Sequence, residues 1–209
     1  MTVDLKREIS TYRARRGRFD VVEVPSLQYV MVDGRGDPNT SRAYEDALAT
    51  VYPVAYALKR LGTERGRDHT VMPLEALWWA EDMHAFTAAR DKSRWSWTVM
   101  VMTPSWFTSD DVVTAVDAVR RQGRGPALER LRLETLVEGL AVQTLHVGPY
   151  DDEGPLLATM HDEVIPGRSL RMVGRHHEIY LGDPRRCAPE RLRTLLRQPV
   201  RREPGPADG

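Results

Sequence analysis

A run of strand, tight turn, helix and two further strands occurs twice along these 209 residues, and this repetition limits the possible fold more than any other feature. In the first run, residues 21–32 are β-branched and apolar, are interrupted at Pro25, and end in Asp33-Gly34-Arg35-Gly36-Asp37-Pro38, a dense set of turn formers. Asn39, Thr40 or Ser41 is positioned to cap a helix whose apolar stripe is Tyr44, Ala47, Leu48, Val51, Tyr52, Ala55 and Leu58. Pro53 lacks an amide proton and crowds the preceding turn, so a kink is expected there. Strands over residues 71–79 and 95–103 follow, joined by a charged loop over 80–94. Thr108 or Ser109 then caps a helix carrying Val112, Val113, Val116 and Val119, which stops at Gly123.

The second run begins with a strand over 139–147 and the turn Gly148-Pro149-Tyr150-Asp151-Asp152. Leu156, Leu157, Met160 and Val164 mark a helix, and residues 170–173 and 176–181 read as the closing strands. The turns correspond, with Val32-Asp33-Gly34 answering His146-Val147-Gly148. The expectation is one α+β domain over residues 1–200, with pseudo-repeats over about 20–123 and 137–183 and a flexible tail over 201–209. Two pseudo-symmetric β-α-β-β units joined edge to edge give one antiparallel sheet, with helices on one face and a ligand cleft on the other.

The hydrophobic fraction of 41% supports a sizeable core without disulfide staples. Lys plus Arg and Asp plus Glu number 30 each, so no overall field draws the chain to nucleic acid or to an anionic membrane. Cys187 is the single cysteine, and the opening Met1-Thr2-Val3-Asp4-Leu5-Lys6 lacks the apolar core of a signal peptide. No apolar run approaches the ~20 residues that span a bilayer. These features predict a cytoplasmic protein with no membrane and no nucleic-acid partner. Lys6, Arg7, Arg13, Arg15, Arg16 and Arg18 give the first eighteen residues the look of a solvated arm.

In His176-His177-Glu178-Ile179-Tyr180-Leu181, strand alternation puts His176, Glu178 and Tyr180 on one face and His177, Ile179 and Leu181 on the other. The apolar pair Ile179 and Leu181 suits a helix-covered core, which turns Glu178 and Tyr180 to the open groove. A carboxylate walled by aromatic rings is desolvated and becomes a usable base or a counter-charge for a cation. A plain salt bridge to an arginine on an exposed face is the simpler alternative. Trp78, Trp79, Trp95 and Trp97 fall on two neighbouring strands. Adjacent strand residues diverge, so Trp78 and Trp79 cannot both enter one core, and one of them faces the groove. His176 and His177 diverge likewise, and no other pattern suggests a metal or a cofactor.

Several segments resemble a known family, the GyrI-like small-molecule-binding proteins. They are Met72-Pro73-Leu74-Glu75-Ala76-Leu77-Trp78-Trp79, Trp97-Thr98-Val99-Met100-Val101-Met102, His146-Val147-Gly148-Pro149-Tyr150-Asp151-Asp152-Glu153, and His176 to Arg186 continuing to Leu195-Leu196-Arg197-Gln198-Pro199-Val200. The resemblance implies two pseudo-symmetric units around a cleft with a central glutamate and aromatic walls. Relatives include ligand-sensing domains of multidrug-responsive regulators and hydrolases of cyclopropane-bearing DNA-alkylating toxins. Glu178 stands where the resemblance expects the cleft glutamate and Tyr180 where it expects its partner, the expected catalytic pair. Trp78, Trp79, Trp97, Tyr150 and His176 are the expected contacts to a planar aromatic ligand. Two functions are open at this point: water addition to a cyclopropane, and ligand binding without turnover.

Overall fold

The computed structural model describes residues 2–80 and 91–203. The strands are β1 (Asp20–Val24), β2 (Leu27–Arg35), β3 (Leu74–Trp79), β4 (Ser96–Thr103), β5 (Arg132–Leu136), β6 (Gly139–Val147), β7 (Leu170–Met172), β8 (His176–Tyr180) and β9 (Arg193–Arg202). The helices are α1 (Leu5–Glu8), α2 (Arg42–Glu64), α3 (Ser109–Arg121) and α4 (Gly154–Ala158), the last running on into a π-helical stretch, Thr159–Val164. Of the charged loop expected over 80–94, residues 81–90 lie outside the described residues, and Lys92–Arg94 form a 3-10 turn.

The strands form a nine-stranded antiparallel sheet in the order β1-β6-β9-β8-β3-β4-β2-β5, with β7 added on β9. Outward from the central β3–β8 pair, the order β3-β4-β2 on one side matches β8-β9-β6 on the other. The chain thus builds β2-α2-β3-β4 and then β6-α4-β8-β9, two units of one topology. The two closing strands of the second unit are β8 and β9, whereas the sequence pattern suggested residues 170–173 and 176–181. β7 is only a three-residue addition at the far end of β9. The second unit accordingly runs past residue 183. Arg201 and Arg202 belong to β9 rather than to a tail, and residues 204–209 lie outside the described residues.

Local chemistry explains the helix boundaries. Ser41 caps α2 by accepting from the Tyr44 amide at 3.4 Å, and the helix runs on through Pro53. Thr108 and Asp111 form a reciprocal capping box at the start of α3. After α3, Gly123 adopts φ +66°, the left-handed conformation that ends a helix at least cost.

One sheet face carries both helix layers. α2 buries Ala47, Val51, Val54 and Leu58 against the β2–β4 half, where Val30, Val32, Val99 and Val101 lie at 0% exposure. Met160 and Ile165, from the segment after α4, close a separate small core with Val142 and Leu196 on the β6–β9 half. Each such aliphatic side chain contributes about 1.5–3 kcal/mol when fully buried. Because α4 and its π-helical extension are short, the two layers do not meet over β3 and β8. The cleft therefore opens between the helices on the face they cover, not on the opposite face as the sequence reading placed it.

The opposite face is covered by the N-terminal segment. It is not a solvated arm over its whole length, since Thr11 and Tyr12 are 4% and 3% exposed. The reason is a buried polar network that this segment completes. His177 sits between two carboxylates, with Nδ1 2.9 Å from Glu138 Oε1 and Nε2 2.9 Å from Glu75 Oε2. Arg197 donates to Glu138 Oε2 at 2.8 Å and to the Thr11 carbonyl at 2.7 Å, and Tyr12 donates to Glu75 Oε1 at 2.6 Å. Ile179 shares this face, so the apolar residue used to orient β8 points to the N-terminal segment and not to the helices. Arg13, Arg15, Arg16 and Arg18 remain exposed.

Candidate functional site

β3 and β8 run antiparallel at the centre of the sheet, with Trp78 opposite His176, Ala76 opposite Glu178 and Leu74 opposite Tyr180. All six share the helix-covered face, and Leu74, Trp78, Glu178 and Tyr180 line the gap between the helix layers. A cleft of about 1530 Å³ opens above them, large enough for a polycyclic ligand or several linked rings. Tyr44 and Tyr52 of α2 form one wall, Tyr150, Glu153 and Leu157 form the other, and Trp95 closes an end.

Glu178 is 8% exposed on the cleft floor. Its Oε2 accepts the Tyr180 phenol proton at 2.6 Å, and the Tyr180 oxygen accepts from Trp78 Nε1 at 3.1 Å. This chain of donors fixes one carboxylate oxygen and leaves Oε1 on the other side, 3.7 Å from His176 Nε2. Burial, reinforced by the Glu178 charge and by Tyr44, raises the Tyr180 pKa well above the ordinary tyrosine range, so the phenol remains a donor at any physiological pH. Burial, with Glu153 and Glu178 nearby, pushes Tyr150 up to about 12.

The aromatic residues divide between cleft and core. Trp78 lines the cleft and packs on Tyr44, with ring centroids 5.8 Å apart, and on Trp95 at 5.6 Å. Tyr150 meets Tyr180 edge to face at 5.4 Å. Trp79 turns to the other face, where the Arg175 guanidinium lies 3.7 Å over its ring. Trp97 is fully buried behind Tyr44, donates Nε1 to the Gly36 carbonyl at 3.2 Å, and does not line the cleft. Gly34 opposite it is obligatory, because a Cβ there would lie 2.1 Å from the indole. His176, at 0% exposure, lies under the floor beside Glu178 and not in the lining.

Of the residues expected at the site, then, Glu178, Tyr180, Trp78 and Tyr150 come together at the cleft, and Trp79, Trp97 and His176 do not reach its surface. Tyr44, Trp95 and Glu153 line it without having been singled out. Tyr44 was legible only as part of the apolar helix stripe. Glu153 closes the Gly148 to Glu153 turn and is a second buried carboxylate, 2% exposed. Among the described residues, no group of three or more His, Cys, Asp or Glu side chains is placed to hold a metal ion. No helix among them is long and apolar enough to cross a membrane.

Comparison with known proteins agrees with this architecture. A conserved protein from Listeria innocua is 32% identical in sequence and superposes with a TM-score of 0.87, over 96% of this chain and 100% of its own. A hydrolase from the same organism is 30% identical with a TM-score of 0.81, at the same coverage of both chains. The EcmrR C-terminal domain shares the fold alone, at 9% identity and a TM-score of 0.55 over 88% of this chain and 98% of its own. A search of curated proteins finds no match. The model of the GyrI-like small molecule binding domain matches residues 18–201, and with that span and these relatives the chain belongs to the GyrI-like family.

Proposed function

We propose that the protein is a hydrolase that adds water across the strained cyclopropane of a flat, polycyclic, DNA-alkylating natural product. The observation that carries this reading is the carboxylate of Glu178, held at 2.6 Å by Tyr180 on the floor of an aromatic-walled cleft. A ring-fused cyclopropane conjugated to a carbonyl needs little beyond a well-placed water, a base and a dry, flat slot. Glu178 orients the water and takes its proton as the water oxygen bonds to the ring methylene. The cyclopropane carbon–carbon bond breaks, its electron pair moves to the conjugated carbonyl oxygen, and that oxygen takes up a proton. Acid–base help of this kind contributes ~10²–10⁴-fold, a useful factor because ring strain has already weakened the bond.

Tyr180 keeps the carboxylate aimed, and Tyr44, Trp78, Trp95 and Tyr150 supply flat surfaces for stacking. The Listeria relative that is described as a hydrolase gives independent support for turnover. The test is incubation with a cyclopropane-fused cyclohexadienone in ¹⁸O-water, followed by mass spectrometry. The reading expects a product heavier by one water that carries the label. Binding with no such product would leave a non-catalytic binder of flat ligands, in which Glu178 serves only as a counter-charge.

A further inference from the structure

We propose that His176, backed by His161, carries the proton taken up by Glu178 out of the cleft through the protein interior. The proposal rests on Glu178 acting as the general base. Neither ring touches the cleft, so both act through Glu178 and are positioning residues for its proton.

Three observations place them in line. His176 Nε2 lies 3.7 Å from Glu178 Oε1, the oxygen that Tyr180 does not hold, and the His176 side chain is wholly buried. His161 packs edge-on against His176, with ring centroids 6.0 Å apart and planes at 80°. His161 is itself 6% exposed, and neither of its ring nitrogens has a hydrogen-bond partner among the described residues. A buried polar group left unpaired costs about 1–3 kcal/mol, which an apolar residue beside Met160 and Ile165 would avoid. The π-helical stretch is what brings His161 inward, since Met160 and His161 are consecutive and both buried. Asp162, the next residue, is exposed. The order outward from the floor is Glu178, His176 and His161, whose neighbour along the chain, Asp162, is exposed.

The need for such a path follows from the site. Glu178 is nearly covered before any ligand arrives, and a flat ligand over the floor removes its remaining contact with bulk water. Glu178 of its own strand, His161 and Gln198 of β9 lie against His176, while the charges of His177 and Glu138 act on it from the other face of the sheet. Burial, then His161 and His177, holds its pKa well below the ordinary histidine range. It is therefore neutral at physiological pH and does not retain a proton that reaches it. In balance, Glu178 gains one proton from water and gives it to His176 Nε2. His176 releases its other ring proton, and one proton leaves to solvent past the His161 ring. The opened product takes one from solvent at the cleft mouth, and nothing is oxidised or reduced.

The test compares one turnover with many, using a cyclopropane-fused cyclohexadienone and the variants His161→Ala and His176→Gln. With enzyme in excess, the first turnover should stay within about twofold of wild type, because a single turnover needs no proton to be cleared from Glu178. Steady-state turnover should fall by about tenfold or more, as proton removal becomes limiting. Imidazole added to His161→Ala should restore the steady-state rate by filling the space the ring has left. A packing role predicts something else: both rates fall together and imidazole restores nothing, which would overturn the proposal. Wild-type steady-state rates in His161→Ala would also overturn it while leaving the hydrolase reading intact. Absence of turnover in wild type would remove both readings together.

Discussion

Tyr180 donates its phenol proton to Glu178 Oε2 across 2.6 Å, from a position two residues along the same strand. The pair is set by strand alternation alone, so no loop has to move to form it. Trp78 Nε1, on the neighbouring strand, donates in turn to the Tyr180 oxygen. Removing Tyr180's hydroxyl would take away one hydrogen bond to a charged acceptor, worth about 1.5–3 kcal/mol, and would leave the base in place. Tyr180→Phe is therefore expected to slow turnover by roughly 10- to 150-fold, less than the loss in Glu178→Gln. Steady-state kinetics on both variants checks the order.

The tryptophans separate into two kinds of effect. Trp78→Phe should weaken binding of a flat ligand by roughly 0.5–1.5 kcal/mol and leave the fold intact. Trp97→Ala should instead lower stability by about 3–5 kcal/mol, since Trp97 is wholly buried and lies outside the cleft. Gly34→Ala should mimic it by driving a Cβ into the Trp97 ring. Urea melts and fluorescence titration distinguish these outcomes.

The buried network under the N-terminal segment makes stability depend on pH at both ends. Burial opposes the charge on His177, but Glu138 and Glu75 on either side outweigh it and raise its pKa from 6.5 to about 9. Its contribution is fully present below pH 6.5 and is lost as pH rises toward 9, on the order of 3 kcal/mol for this group alone. Glu138 is also desolvated, but His177 and Arg197 hold it down at about 2. Its contribution is present above pH 4.5 and is lost as pH falls toward 2. Stability should therefore be highest between about pH 4.5 and 6.5. Thermal melts at pH 5.5 and 9.5 check the alkaline side, where His177→Gln should flatten the dependence.

Much of this molecule was legible in the sequence, and the parts that were not have physical reasons. Ser41 and Thr108 announced their helices, and the alternation of His176 to Leu181 placed Glu178 and Tyr180 on one face. The side of the sheet was misread because Ile179 and Leu181 suggested a helix-covered core, whereas the N-terminal segment covers Ile179. β9 was hidden by Arg193, Arg197, Gln198 and Arg201, which read as surface until Glu138, Gln143 and the Thr11 carbonyl are seen to satisfy Arg197. β5 was hidden too, as an edge strand with the charged pattern Arg-Leu-Glu-Thr-Leu. Trp97 carries the same alternation signal as a cleft residue, and only the position of Tyr44 over it decides otherwise.

The central claim is that Glu178 acts as a base toward water, and one comparison tests it directly. Wild type, Glu178→Gln and buffer alone are each incubated with a cyclopropane-fused cyclohexadienone, and the gain of one water is followed by mass spectrometry over time. Glu178→Gln keeps the shape of the side chain and removes its proton-accepting charge, so a neutral ligand should still bind. The account predicts rapid water addition by wild type and a rate ~10²–10⁴-fold lower for Glu178→Gln. Equal rates for wild type and Glu178→Gln, or no wild-type rate above buffer, would contradict it.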